Sequence, residues 1–566
     1  MIPPDPDAPR TERVATMFLV ALVAVLPFET DVTALGLSNL QWLFLGAAVF
    51  GAPSTLGAIV RRRNALVRDP AIIVAGAVVA CFWLSAAITV ATAGTSQAPG
   101  AELGTNAVNG AVRVTTGCFL FVMTFLIGAG PEQIHRRVTT IWSAAAAIAA
   151  AYGIGNYLGF WSAGVFRNED FFFGPVLRLS GSFEYPTPAA AYFAMSLPMV
   201  AFAPIGMPYR AAGGLLVWTA LLLTYSRGAM AAVIVVFIVF IGWTLLRKGS
   251  SPFRRLSPAA AIALALLASG PFILAPRLAT RILSVGSETP FDARYEIAFT
   301  GLGQRPSVVD TGDVTVFNTG GGTWFAEGPE QAVLSYRWYD ADREELLDEE
   351  PGRITNLPRD IRPGESVTLS AAFETPPTPG NYLLIWDLRT GGQWFSRMRI
   401  DPTFAEVKIA LDAVRQTDRR SLDHWLPEPP DDEATIEASV PRSRLWTAAI
   451  DMFAENPLLG VGPDNYRLIY GRYLEVSDWD TNIRSNNLYL ELLATVGVLG
   501  LGAFLAFGFL VFRRGRGTSA PAVAIALGVF FVHGLVDVFL MTTPIYFGFW
   551  ILAGLAAGSR TGTRIP

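Results

Sequence analysis

The sequence predicts an all-α polytopic membrane protein of about 12 transmembrane helices, with a β-sandwich domain inserted into one extracytoplasmic loop. Three observations predict it. Of 566 residues, 52% are hydrophobic and 16% charged, with a mean hydropathy of +0.39, whereas soluble domains carry roughly 25% charged residues. Apolar runs of membrane-crossing length recur through both ends of the chain. In residues 277–485 these runs stop, and short alternating stretches broken by turn residues replace them. The formal net charge of −4 argues against a nucleic-acid partner, which would need a basic footprint. Cys81 and Cys118 both lie in apolar stretches without a partner spacing, so they read as packing residues, not as a metal site or disulfide framework.

The first apolar run follows Arg10 and Arg13 without a small-residue cleavage site, and it reads as a retained span. Further runs, most of them of roughly 17 to 22 residues, enough for about 30 Å of hydrocarbon, follow. They fall at 40–60, 71–93, 111–130, 138–158, 187–205, 211–225, 228–246, 258–276, 487–512, 519–537 and 541–558. This puts about nine spans in residues 1–276 and about three in 486–566. Loop charge orients them, because basic loops stay in the cytoplasm. The segments RRRNALVR (61–68), PEQIHRR (131–137), RKGSSPFRR (247–255) and RRGRG (513–517), with the SRTGTR tail, fall on one side under strict alternation. Both termini are thus expected in the cytoplasm and the 277–485 loop outside it, which makes the chain a multi-pass membrane protein.

Within that loop VTVFN, AVLSYRWY, SVTLSAAF, NYLLIWDL and WFSRMRI place apolar residues at period two. They predict an immunoglobulin-like sandwich over residues 290–402. Trp324, Trp338 and Trp394 are candidates for glycan contact, although aromatics in such domains more often fill the core. Residues 440–475 look different: Leu445, Trp446, Ala449, Ile450 and Phe453 recur at helical spacing, as do Tyr466, Ile469, Tyr470 and Tyr473. Two interfacial helices joined by a Pro/Gly turn are expected there.

The stretch RLWTAAIDMFAENPLLGVGPDNYRLIYGRYL (444–474), followed by NNLYLELLATVGVLG (486–500), resembles the C-terminal signature of the O-antigen ligase and O-antigen polymerase family. The resemblance extends to RLSGSFEYPTPAAAYFAMSLP (178–198), TYSRGAM (224–230) and FVHGLVDVF (531–539), and the sandwich lies outside the family pattern. It implies a membrane glycosyltransferase of the cytoplasmic (inner) membrane that moves a glycan from a polyprenyl diphosphate carrier to a hydroxyl of a glycan or glycolipid acceptor, on the outer face of that membrane and without a cofactor. In the family a His-Asn pair is followed by nine residues and Gly-x-x-Gly. Here Asn487, Gly497 and Gly500 keep that spacing, and Asn486 stands where the family has histidine. The family histidine is assigned to activating the acceptor hydroxyl, and an amide can orient a hydroxyl but not take its proton.

Such a reaction builds negative charge on the departing diphosphate, and arginines are the candidates to meet it because no metal-ligand spacing is visible. Arg227 is the sharpest, lying between two apolar runs at the outer face; its plainer reading is a snorkelling helix-end charge. Arg444 and Arg178 occupy motif positions on the same side, or are ordinary loop arginines. Three replacements for the missing base are open. His533 and Asp537 are four apart, expected on one helix face, and are preferred. Glu491 lies one turn after Asn487, and His424 sits in a polar loop. A polyprenyl-glycan flippase and a non-catalytic scaffold or sensor acting through the sandwich are the alternative functions.

Overall fold

In the computed structural model, the described residues are 10–558 apart from 31–32, 35, 62, 94–99, 129–132, 161–165, 167–170, 174–175, 247–290, 298–302, 329–330, 344, 348–350, 392, 397–399, 401, 411–441, 475–478 and 516–520. The chain divides into two compact units. Met1–Glu169, Leu179–Gly270 and Val440–Pro566 form the first, and Asp170–Arg178 with Pro271–Ser439 the second.

The first unit is helical: α1 (Arg10–Val25), α2 (Asn39–Arg61), α3 (Arg63–Leu66), α4 (Pro70–Ala93), α5 (Gly100–Gly128), α6 (Gln133–Tyr157), α7 (Pro186–Ala201), α8 (Met207–Leu223) and α9 (Arg227–Leu246) precede the insertion. After it come α10 (Arg442–Glu455), α11 (Tyr466–Tyr473), α12 (Leu488–Gly515), α13 (Pro521–His533) and α14 (Thr543–Gly558). Of these, Asn39–Gly57, Pro70–Thr92, Glu102–Ile127, Gln133–Tyr157 and Leu488–Gly515 are long and apolar enough to cross a bilayer. Val14–Val25, Met207–Leu223, Arg227–Phe240, Pro521–His533 and Thr543–Gly558 are apolar but shorter. The span expected at 258–276 lies outside the described residues. At one end of the unit Arg514 forms a two-pronged ion pair with Asp69, at 2.9 and 3.0 Å, so two of the basic segments meet.

Near the opposite end of α12 the chain departs from a plain helix. Backbone dihedrals at Gly497 are φ 64°, ψ −170°, which splits α12 about 14 Å from its start at the usual rise per residue. The turn 457–462 fills the split. Val461 and Gly462 donate their N–H groups to the Ala494 and Thr495 carbonyls at 2.9 and 3.0 Å, while the Val498 and Leu499 N–H groups reach the Pro457 and Leu458 carbonyls at 2.9 and 3.3 Å. The backbone groups freed by the break are thereby satisfied inside protein, the condition under which membrane helices tolerate irregular backbone. A Cβ on Gly497 would sit 2.3 Å from Leu458 backbone atoms, so the Gly-x-x-Gly spacing has a local steric cause. The 440–475 stretch does form two helices, α10 and α11, packed through Leu445, Ala448, Ala449, Met452, Tyr466 and Tyr470.

The second unit contains the hairpin β1 (Phe171–Phe173) and β2 (Val176–Arg178) and two larger sheets. One runs β4 (Gly303–Gln304), β12 (Thr403–Ile409), β10 (Gly380–Thr390), β6 (Ala332–Asp340), β7 (Glu345–Leu346), with β11 (Gln393–Trp394) on β10 and β8 (Thr355–Asn356) on β6; the other runs β3 (Ala293–Ile297), β5 (Val309–Asn318), β9 (Ser366–Glu374). Val314 and Val316, Leu369, Ala371 and Phe373, Leu334, Tyr336 and Trp338, and Leu384, Trp386 and Leu388 all enter one core, each set at period two. The sheet runs past the boundary expected at residue 402: β12 pairs with β10 from Trp386↔Thr403 to Gly380↔Ile409. Of WFSRMRI, only Trp394 lies in a strand among the described residues. Trp324, Trp338 and Trp394 are 0%, 8% and 4% exposed, so none presents its face as a glycan platform; Trp324 and Trp338 fill the core, and Trp394 is covered by Arg337 and Arg389.

Candidate active site

The Asn-Asn pair begins α12, and the two amides have different surroundings. Asn487 caps the helix: its Oδ1 accepts the Tyr489 and Leu490 N–H groups at 3.0 and 3.1 Å, and its Nδ2 donates to the Leu535 carbonyl at 2.9 Å. Its side chain is thus occupied in holding the helix start to the 534–537 turn. Asn486 has φ +51°, a left-handed conformation that Asn adopts more readily than most residues. Among the described residues its side chain has no hydrogen-bond partner.

The turn after α13 gathers the other elements. Helix α13 ends at His533, so His533 and Asp537 do not share a helix face as the sequence predicts. The cause is tertiary: the Leu488 N–H takes the Gly534 and Asp537 carbonyls at 2.8 and 3.1 Å, and Leu488 packs close to Gly534, where a Cβ would lie 3.0 Å from Leu488 Cδ2. Asp537 Oδ1 accepts the Val538 N–H at 2.7 Å. Arg442 Nη1 donates to the Val536 carbonyl at 3.1 Å, bringing the start of α10 to the same turn. Gly228 lies against it too, since a Cβ there would be 2.5 Å from Val536 Cγ2 and 3.3 Å from the His533 ring. Arg227 is therefore the first helical residue of a segment seated on the turn, two residues after Tyr225, whose φ of +53° is strained for a bulky side chain. His533 is buried, with its ring 4.4 Å from that of Phe539.

Behind the helix start is a charge network in which Glu491 is buried and Arg484, Asp464 and Arg467 are partly buried. Arg484 Nη1 lies 2.6 Å from Asp464 and 3.2 Å from Glu491, and Arg467 Nε is 3.3 Å from Asp464. Glu491 also accepts the Ser485 N–H at 3.0 Å, so it is turned inward and pins the approach to the Asn pair. Burial works against the Arg484 cation, but Asp464 and Glu491 outweigh it and hold the guanidinium above its usual range. Tyr185, at the start of α7, is pushed up to about 12 by burial and by the neighbouring Glu184 and Asp537 charges, and its hydroxyl bonds Thr542. That places the GSFEYP segment beside Asp537.

The structure thus brings together Asn486, Asn487, Asp537, His533 and the start of α9 at Arg227, with Glu491 one layer behind. Arg444 is engaged elsewhere, donating to the Leu474 carbonyl at 3.1 Å. Arg178 ends β2 in the second unit, and His424 lies outside the described residues. Sequence reasoning missed Arg484, Asp464, Arg442, Tyr185 and Arg113. Arg113 carried a usable signal, an arginine inside a span, which was obscured by placing that span's start at residue 111. Among the described residues no group of three His, Cys, Asp or Glu side chains is placed to hold a metal.

Residues 403–505 match the family model described as O-antigen ligase. No curated protein matches the chain. Among solved structures, the Pseudomonas fluorescens alkylpurine DNA glycosylase AlkC bound to DNA containing an abasic site analog aligns at 10% identity over 58% of this chain and 97% of that one, with a TM-score of 0.15. So low a score carries no argument. The family match runs from β12 through α10 and α11 into α12, and includes both Asn486 and the Gly497 break.

Proposed function

We propose that this chain, a member of the O-antigen ligase family, transfers a glycan from a polyprenyl diphosphate to an acceptor hydroxyl at the end of the helical unit where α12 begins. The observation that carries the reading is the convergence on the 534–537 turn of the Asn pair, the strained start of α9 at Arg227 and the start of α10 at Arg442. In the proposed step the acceptor oxygen bonds to the anomeric carbon as the bond from that carbon to the diphosphate oxygen breaks, its electron pair leaving on the diphosphate. Arg227 and Arg442 meet the developing charge. The hydroxyl proton passes to the Asp537 carboxylate, and Asn486, with an uncommitted amide, orients the hydroxyl. His533 serves as packing beneath Gly228, Glu491 anchors Arg484, and Arg444 fastens α10 to the end of α11. Arg178 stays a candidate diphosphate contact on sequence grounds alone.

The topology belongs to the same proposal: about twelve spans, cytoplasmic termini and an extracytoplasmic loop with an immunoglobulin-like domain. The Asp69–Arg514 pair supports it by joining two basic segments at the end of α12 remote from the Asn pair. Incubating the purified full-length protein with a lipid-linked glycan and candidate acceptors tests the reading. Formation of glycosylated acceptor with release of the carrier diphosphate supports it; movement of the lipid-linked glycan across a bilayer without any transfer would replace it with a flippase.

A further inference from the structure

A cavity of about 40 Å³ lies between α4, α5, α12 and α14, several times the roughly 10–15 Å³ that one water needs. Its walls include Val78, Phe82, Leu492, Phe504 and Trp550, and into this apolar chamber comes Arg113, midway along the Glu102–Ile127 crossing segment. The arginine is only partly satisfied. One Nη2 bond goes to the Met541 carbonyl, the guanidinium carbon stands 4.9 Å from the Tyr546 ring centre, and the buried Nε has no hydrogen-bond partner.

Nearby carboxylates do not neutralise it. Asp464 and Glu491 also line the cavity, but Arg484 bridges both and Arg467 adds a second cation on Asp464. Glu29, the next carboxylate in electrostatic range, accepts the Ser38 hydroxyl at 2.8 Å. Among the described residues Arg113 forms no ion pair. A cation held away from water without a counter-charge costs several kcal/mol, so an anion entering the cavity would be bound strongly. The planar Nε/Nη fork matches a pair of phosphate oxygens, and apolar walls favour a phosphate attached to a lipid chain.

We propose that the Arg113 cavity is a binding site for the phosphate group of an amphiphile. It includes none of residues 225 to 228 at the start of α9 and adjoins the 534–537 turn through Leu488 and Val538; the proposal does not rest on the transfer reading because binding is read without turnover. The test uses the purified full-length protein in detergent, with native mass spectrometry and thermal shift as readouts. The probes are inorganic phosphate, phosphatidic acid, a polyprenyl monophosphate and, as neutral control, diacylglycerol. At least one phosphate probe is expected to bind saturably while diacylglycerol does not, and Arg113→Gln is expected to weaken it tenfold or more. Preference for phosphatidic acid identifies a bilayer lipid, preference for the polyprenyl phosphate a carrier lipid, and equal response to inorganic phosphate a free ion. Arg113→Lys, which keeps the charge and so is better placed to fold, is expected to bind more weakly than wild type because the fork is lost. Equal binding by wild type and both variants, or no discrimination between phosphate probes and diacylglycerol, would overturn the proposal.

Discussion

Replacing Gly497 by alanine is the sharpest structural perturbation available in this protein. The residue sits at φ 64°, ψ −170°, a region essentially reserved for glycine, where a side chain costs about 1–3 kcal/mol. The added Cβ would also lie 2.3 Å from the Leu458 carbonyl carbon and oxygen and 2.4 Å from the Leu459 nitrogen, backbone atoms that cannot rotate aside. Relief requires the 457–462 turn to withdraw, which breaks up to four backbone hydrogen bonds to residues 494–499 at about 1 kcal/mol each. The combined loss is on the order of 5 kcal/mol, reduced to the extent that α12 closes its own helical bonds across the break. Gly502 is an internal control in the same helix, because nothing lies within 4 Å of a Cβ there and alanine gains about 1 kcal/mol of helix propensity. Thermal unfolding of purified protein, with hydrogen exchange over 457–462, reads both variants. Gly497→Ala should melt lower and lose protection in that turn, while Gly502→Ala should match or exceed wild type. Equal melting of the two would refute the wedge that the turn makes in α12.

Arg484→Gln should destabilise the protein by about 3–5 kcal/mol because it strands Glu491 as a buried charge and leaves Asp464 with Arg467 alone, and adding Glu491→Gln should recover part of the lost melting temperature. Asn487→Asp keeps the helix cap but sets a carboxylate against the Leu535 carbonyl, so transfer should fall more than with Asn487→Ser, which loses that tie without the charge. Arg227→Lys should reduce transfer at unchanged expression, since a point charge does not replace a fork on a diphosphate. In the second unit, burial raises the Asp387 carboxyl from 3.8 to about 6. A raised carboxyl favours the folded state below the unfolded value, so its contribution should decline from about pH 4 to pH 6 by about 3 kcal/mol and then level off; thermal melts that keep this slope in Asp387→Asn would count against it.

The strands of the second unit were legible because β5 and β9 alternate at period two and β6 and β10 are apolar runs bounded by turn residues, patterns that hold whether or not partner strands are recognised. Strand β12 was not, because Thr403–Ile409 lies beyond the last apparent turn and gains its place only through pairing with β10. The start of α12 could be read from its amides, and the Gly-x-x-Gly spacing could be counted. The break at Gly497 could not, since its cause is the backbone of Leu458, about forty residues earlier in the chain. In the same way, His533 and Asp537 carry a helical spacing, but tertiary hydrogen bonds from Leu488 compete for the carbonyls of the following turn and the helix ends. Partly buried charges such as Arg484 and Asp464 look like ordinary loop residues in sequence, and only the packing of α12 against the 460–465 turn makes them a network.

The most direct measurement is the initial rate of glycan transfer from a purified lipid-linked donor by wild type, Asp537→Asn and Asn486→His. Asn486 already holds a left-handed backbone, a conformation histidine also tolerates better than most residues, so the substitution restores a proton acceptor at the family position. The expected result is measurable transfer by wild type, a fall of about 10² or more for Asp537→Asn, the usual scale of general-base loss, and a rate for Asn486→His at or above wild type. Full transfer by Asp537→Asn together with no transfer by Asn486→His would contradict the site at the 534–537 turn, and absence of transfer by all three would contradict the enzyme.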